Sequence, residues 1–436
     1  MHRSSGGASP SLRTLHQWQP NHHHTFALTQ YVKALRRLRD KLDRLNSEHD
    51  KALSNVALVA CLLFMCLEML QGNHGASLQH LRTGLRILAE SHKIVPSALC
   101  GEEEKRYYIN SQVGKGSPTI DQSLISVFAR LDYEATMFDK RAPLLVLQSP
   151  YQGGDEIPGV FESIEQARSQ LNKLSSEVFH FRADLLRQIQ PVLKEGKERD
   201  WVKEFVTQHI TSRRLVHSGG EPILDKLHRL QDNLTRWLSA FRSFLVAPQW
   251  PTSETTTTLA LNLLEIQHFY MFFTAQTYFD TTESECDRFT PMFKHVIEMA
   301  ESVLQMDRNN GEQDKVTFTL EPGILPSLFL ITLKCRDSGL RRRALGLLDE
   351  SYCQEGMWEG ALLAKFMKQV IDMEEHLSAP TDMGKLQAED VPEEARFSDV
   401  ALVGIDTMPG WGRLVGGRSI HGTGEIVLRE RIFVIH

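Results

Sequence analysis

The residues best able to do chemistry in this 436-residue chain are its glutamates, histidines and cysteines, and one spacing among them invites a metal. Glu177 and His180, and again Glu265 and His268, stand as Glu-x-x-His, a pair that helical di-iron bundles use twice beside a further glutamate from each of two other helices. With 18 histidines and this much glutamate, roughly one such pair arises by chance, so two are no excess. His180 sits in SEVFHF and His268 in EIQHFYMFF, both beside aromatic residues, which reads as packed core. The tract His22, His23 and His24 has no nearby cysteine to complete a tetrahedral site and reads as a polar N-terminal stretch. Cys61, Cys66, Cys100, Cys286, Cys335 and Cys353 are scattered with no C-x-x-C pair, as suits separate thiols in a reducing compartment. Gly114, Lys115 and Gly116 lack the spacing of a phosphate-binding loop, and neither Gly-x-Ser-x-Gly nor His-Glu-x-x-His occurs. The sequence therefore assigns no catalytic residue, no metal and no cofactor, and the expectation is a protein that is not an enzyme.

The elements that would position any site are helices. Leu28, Tyr31, Val32, Leu35, Leu38, Leu42 and Leu45 recur at three- and four-residue steps, with Lys33, Arg36, Arg37, Arg39 and Lys41 mostly opposite. A helix from about Ala52 to Leu70 meets a break at Gly72, Asn73 and Gly75, and Leu78, Leu81, Leu85 and Leu88 resume the helical step, giving a helix hairpin. Further amphipathic stretches run through Leu124 to Phe138, Ile164 to Leu185, Leu227 to Phe241, Phe269 to Phe273, and Val296 to Leu304. No fixed period supports a repeat, so an irregular multi-helix array is expected. Beyond residue 397, FSDVALVGIDTM, GRLVGG and EIVLRERIFVIH alternate apolar and polar residues between PGWG and HGTG turns, as strands do. The expected organisation is a flexible segment 1–24, a helical domain 25–377 with internal linkers near 92–120, 211–222 and 247–258, a linker 378–396, and a small β hairpin or meander 397–436 packed on the helical body. The fold class is mainly α.

Charge and hydropathy exclude several partners. A net charge of -6 and a pI near 6.3 give no general attraction to a phosphate backbone, so sequence-specific DNA binding by these residues is not expected. The most apolar run, Val56 to Leu67, is too short for a bilayer, and no apolar leader opens the chain, so neither a membrane nor secretion is expected. The basic face carrying Arg36, Arg37 and Arg39 reads first as a solvated face and second as a contact for a protein partner. Trp237 and Phe241 read first as core and second as an aromatic anchor at an interface.

Three segments carry a resemblance. HHHTFALTQYVKALRRLRDKL with ALVACLLFMCLEMLQGNHGASLQHLRTGLRIL, then IPGVFESIEQAR, then LKCRDSGLRRRALGLL with EGMWEG and a helix ending in IDMEE, stand in one order. Together they resemble the regulatory domain of fungal binuclear zinc-cluster transcription factors, and the signature positions are Lys334, Cys335, Arg336, Arg341, Arg342, Arg343, Gly356 and Trp358. In the last block, Asp337 or Ser338 is placed to cap the helix that Leu340 begins, and the arginines to bond the preceding helix's carbonyls or to pair with carboxylates such as Asp349 and Glu350. Gly356 and Trp358 mark the entry to the next helix.

The resemblance implies a nuclear regulator of transcription, serving a metabolic or secondary-metabolite gene cluster. The family's six-cysteine zinc cluster is not found in these residues. The reading is a regulator without its own DNA-binding module, acting through another transcriptional regulator as protein partner, or else a shortened form of one that carries the module. The reading from another class is a helical small-molecule sensor, in which the same domain binds an effector.

Overall fold

Apolar residues at three- and four-residue steps become helices in the computed structural model, which describes residues 26, 29, 30, 32–34, 36, 37, 51–91, 107–110, 122–135, 145–148, 157–189, 200–218, 220–246, 255–309, 317–351, 353–376, 386–404, 408, 410–420 and 422–435. The chain divides into two units at Gly154 and Asp155, inside the span read as one helical domain. In the first unit, α1 (Lys51–Leu70) and α2 (His74–Ser91) form the expected hairpin. Its turn needs Gly72, which stands at φ +74, and Asn73 bonds Glu68 across it at 2.9 Å. Helix α3 (Gln122–Ala135) sets Phe128 against Gly84, where a Cβ would come within 2.1 Å of the ring. Strands β1 (Tyr107–Asn110) and β2 (Leu145–Gln148) pair in parallel, within and beyond a stretch read as a linker. Arg36 and Arg37 are helical and exposed, whereas Arg39 and the histidine tract lie outside the described residues.

The second unit opens with α4 (Ile164–Ile189), α5 (Trp201–Ser218), α6 (Glu221–Val246), α7 (Thr255–Gln276) and α8 (Thr290–Asn309). The break expected at 211–222 is far shorter, because α5 runs to Ser218 and α6 starts at Glu221. Helices α4 and α7 both pack on α6, and they enclose its apolar stripe from Leu227 to Phe244. Trp237 and Phe241 are 0% exposed, which fits their first reading as core and corrects the second as an interface anchor. Trp237 stacks on Phe241 at 4.8 Å and on His268 at 4.9 Å, and its indole N–H donates to the Ala167 carbonyl at 2.9 Å. His268 is therefore a core residue: Nε2 donates to the Leu234 carbonyl at 2.8 Å and burial pushes its pKa down to about 4, so the ring is neutral. Glu265 instead faces Arg242 and His295, and no metal-ligating group of three side chains forms among the described residues.

The rest of the second unit is built on α9 (Leu325–Lys334), α10 (Ser338–Glu350) and α11 (Gly360–Glu375). A small sheet joins them: β3 (Thr317–Thr319) runs parallel to β4 (Cys353–Glu355), which turns through Gly356 at φ +56 into β5 (Trp358–Glu359). Gly356 and Trp358 thus shape a hairpin ahead of the helix. Within the span read as a linker, residues 386–396 are folded as two 3-10 turns, Ala388–Asp390 and Glu393–Ala395, with Leu386, Val391 and Ala395 buried. The C-terminal meander is as expected: β6 (Asp399–Gly404), β7 (Trp411–Ser419) and β8 (Ile426–Val434) pair antiparallel in that order. One sheet face packs Ala401 and Val415 on Val202, Val206 and Ile210 of α5, and on the other Phe433 meets Phe366 of α11 at 5.2 Å.

The enclosed position of Trp237 gives a direct expectation. Trp237→Ala should lower the unfolding free energy by about 3–5 kcal/mol in a denaturant titration, the usual cost of emptying a large aromatic site. A loss near zero would return Trp237 to the surface.

Candidate functional site: a buried ionic hub

The signature block folds where α9 must stop and α10 must begin. Cys335 is extended, at φ -80 and ψ 126, and the Asp337 carboxylate accepts the Leu340 N–H at 2.8 Å, so Asp337 is the cap and not Ser338. This sharp turn brings the cations of the block onto several elements at once. Arg336 donates to Glu374 Oε1 at 2.8 Å and also to the Lys334 and Phe397 carbonyls. Arg341 donates to Glu374 Oε2, and through Nε to the Thr332 carbonyl at the end of α9 at 2.8 Å. The Phe397 amide completes the set on Glu374 at 2.6 Å. Arg336, Arg341 and Glu374 have side chains 0% exposed.

A second carboxylate anchors the other half. Glu283 receives Lys334 at 2.6 Å and Arg213 of α5 at 3.1 Å, while Lys334 also donates to the Ser398 carbonyl at 2.8 Å. Arg396 grips both oxygens of Asp287, at 2.9 and 2.8 Å, and the carbonyls of Ala388 and Val391. Beside them, Asp399 of β6 pairs with His209 of α5 at 3.1 Å, and Arg182 of α4 contacts the same imidazole. Toward the surface, Arg342 pairs with Glu375 and Arg343 with Glu301. The partners expected at Asp349 and Glu350 are thereby corrected to Glu374, Glu375 and Glu301, which the packing of α10 on α11 and α8 brings within reach.

Electrostatics follow from burial opposed by pairing. Burial alone would raise Glu374, but Arg336 and Arg341 hold it below the usual glutamate range. Burial also works to raise Glu283, and Lys334, Arg213 and Arg336 override it to about 2. Asp399, half-buried, is held at about 2 by His209 and Arg182. Glu355 is the reverse case: it accepts the N–H groups of Gly323, Ile324 and Leu325 at 2.8 to 3.0 Å, yet burial pushes it up to about 7. Burial raises the Cys335 thiol to about 11, which keeps it protonated and a poor nucleophile.

The arrangement is suited to holding elements together. Lys334, Arg336 and Arg341 direct donors to buried carboxylates and carbonyls, leaving only Arg336 Nε and Arg341 Nη1 of the two guanidinium groups without an acceptor among the described residues, while Cys335 packs inside and Trp358 lies against Phe329 at 5.4 Å. Glu374, Glu283, Arg213, Arg396, His209 and Asp399 were not singled out from sequence. One signal for Glu374 and Glu375 was present: acidic residues ending a helix oppose its dipole, so they call for cations from elsewhere.

No protein-family profile matches the chain, and no solved structure matches it. Among curated proteins it is similar to the aspercryptin biosynthesis cluster-specific transcription regulator of Emericella nidulans, 23% identical over an alignment 444 positions long. The alignment takes in 85% of this chain and 66% of that protein, just under two thirds of the relative's length. The likeness supports the fungal transcription-factor family.

The pH dependence has a definite sign. Ionised Glu283 and Asp399 stabilise the fold above their unfolded values of 4.5 and 3.8, and that stability is lost as pH falls toward about 2. His268 adds a loss between 6.5 and about 4, since the unfolded ring gains its proton first. Glu355 opposes it, because its folded form keeps a proton up to about 7, so raising pH from 4.5 to about 7 weakens the fold. Stability should therefore fall below about pH 4.5, where ionised Glu283 and Asp399 are being lost and Glu355 no longer opposes that loss. Glu283→Gln should flatten that limb and, by stranding Lys334 and Arg213, cost about 3–5 kcal/mol at neutral pH in urea unfolding. Glu374→Gln should cost a similar amount, and a change under about 1 kcal/mol for either variant would contradict the hub.

Proposed function

We propose that this chain is a nuclear regulator of fungal transcription that serves a metabolic or secondary-metabolite gene cluster and acts through protein contacts. The observation that carries this reading is the likeness to a cluster-specific transcription regulator along 85% of the chain. The resemblance of the Lys334 to Trp358 block points the same way. The ionic hub supports it by giving the signature residues a role in shape, which leaves exposed helix surfaces, including Arg36 and Arg37, to meet a second transcriptional regulator. An acidic balance of -6 supports recruitment through that partner in place of direct reading of DNA by these residues.

Deleting the gene in its own fungus and profiling transcripts tests the proposal. The expected result is a coordinated change in one contiguous set of biosynthetic genes, restored by the intact gene; an unchanged profile would overturn it. In a binding assay at about 0.15 M salt, the purified chain should show only weak contacts with promoter DNA that weaken further as salt is added. A nanomolar complex with one promoter and not with its scrambled copy would contradict the recruitment mechanism.

A further inference from the structure

The C-terminal sheet ends on an open edge. Strand β8 pairs with β7 alone, and no other strand lies beside it among the described residues. Ile435 N–H donates to the Gly410 carbonyl at 2.7 Å, which sets the phase of the ladder. By antiparallel alternation, Leu428, Glu430, Ile432 and Val434 turn their N–H and C=O groups away from β7. Such a row is a template for an added strand.

Side chains along the edge specify what could pair there. On the sheet face toward α5, Trp411, Ile432 and Val434 form an apolar patch, 36%, 54% and 52% exposed, and Trp411 lies directly opposite Val434. Glu430 on the same face is already matched by Lys203 and Arg413, and Arg413 by Asp200, so these four charges satisfy one another. On the face toward α11, Arg429 and Arg431 stand side by side with Arg418 one strand away. Arg431 reaches Gln369 at 3.2 Å and Asp372 at 4.0 Å, whereas Arg429 makes no ion pair among the described residues. The unspent charge at this edge is positive.

The same pattern rejects a second copy of the chain. IVLRERIFV has its charges at the centre and reads nearly alike in both directions. Paired antiparallel with itself about Glu430, the strand sets glutamate opposite glutamate and Arg429 opposite Arg431 twice. Sliding the pairing to the neighbouring registers that keep both faces sets Arg429 or Arg431 opposite itself, and like charges directly opposite are destabilising.

We infer that the β8 edge takes an extended peptide segment in which apolar residues alternate with acidic ones, added to the sheet as a fourth strand. Its apolar side chains continue the Trp411, Ile432 and Val434 patch, and its carboxylates lie beside Arg429 and Arg431. This gives the protein contacts proposed above a surface, and the test uses isolated peptides so that it stands apart from any effect on transcription.

The probe is an end-blocked fluorescent peptide alternating valine with glutamate, titrated into the full chain by anisotropy. Its controls are the valine and lysine counterpart and a valine and glutamate peptide N-methylated at alternate amides, which keeps the side chains and removes the ladder. The expected result is saturable binding of the first peptide alone, with slowed hydrogen exchange at Leu428, Glu430, Ile432 and Val434. Arg429→Glu should weaken it roughly fivefold to tenfold, the scale of reversing a cross-strand charge pair, with the melting temperature unchanged. Equal binding of the glutamate and lysine peptides, or of the N-methylated peptide, would overturn the inference. So would the absence of binding, or slow exchange at those four amides in the free chain, which would show the edge to be covered.

Discussion

The second unit depends on one carboxylate. Glu374 lies fully buried in the last turn of α11, where a charge is costly and the helix dipole opposes it. It is tolerable only because Arg336, Arg341 and the Phe397 amide together occupy both of its oxygens. Those donors come from the turn after α9, the first turns of α10 and the chain entering β6. Satisfying Glu374 therefore fixes the relative positions of α9, α10, α11 and the C-terminal sheet. Hydrophobic packing alone, being non-directional, would leave these elements freer to slide.

Glu283 repeats the device one layer away. It sits just ahead of the 3-10 turn Ser284–Phe289 and draws Lys334 from α9 and Arg213 from α5, while Lys334 passes on to the Ser398 carbonyl. Ion pairs this deep are poor sources of net stability compared with well-packed apolar residues, but breaking one is expensive. The consistent reading is that the hub specifies which arrangement of helices is adopted. That suits a protein read as working through the shape of its surface, and it accounts for a basic signature block whose innermost members never reach solvent.

Much of this organisation was legible in the sequence. The hairpin of α1 and α2, the long amphipathic helices of the second unit and the alternating strands β6 to β8 each repeat a periodic signal over many residues. The strands β1 to β5 are two to four residues long, too short for alternation to show. Residues 378–396 look like a linker because of their two prolines and their charges, yet Arg396 at the end of that span supplies buried bonds that a polar count cannot foresee. The partners of the arginines were misplaced for a related reason: Asp349 and Glu350 are close in sequence, whereas Glu374 is 38 residues from Arg336 and reaches it only through tertiary packing. Trp237 reads first as core from its apolar stripe, and the packing of α4 and α7 on α6 is what encloses it.

The most direct measurement is amide hydrogen exchange at Phe397, followed as a function of low denaturant. If the Glu374 cluster joins the sheet to the helices, the Phe397 amide opens only when α9 and α11 do, with the same free energy and the same steep denaturant dependence. Exchange at Phe397 through a local opening, fast and insensitive to denaturant while α9 and α11 remain protected, would contradict the account.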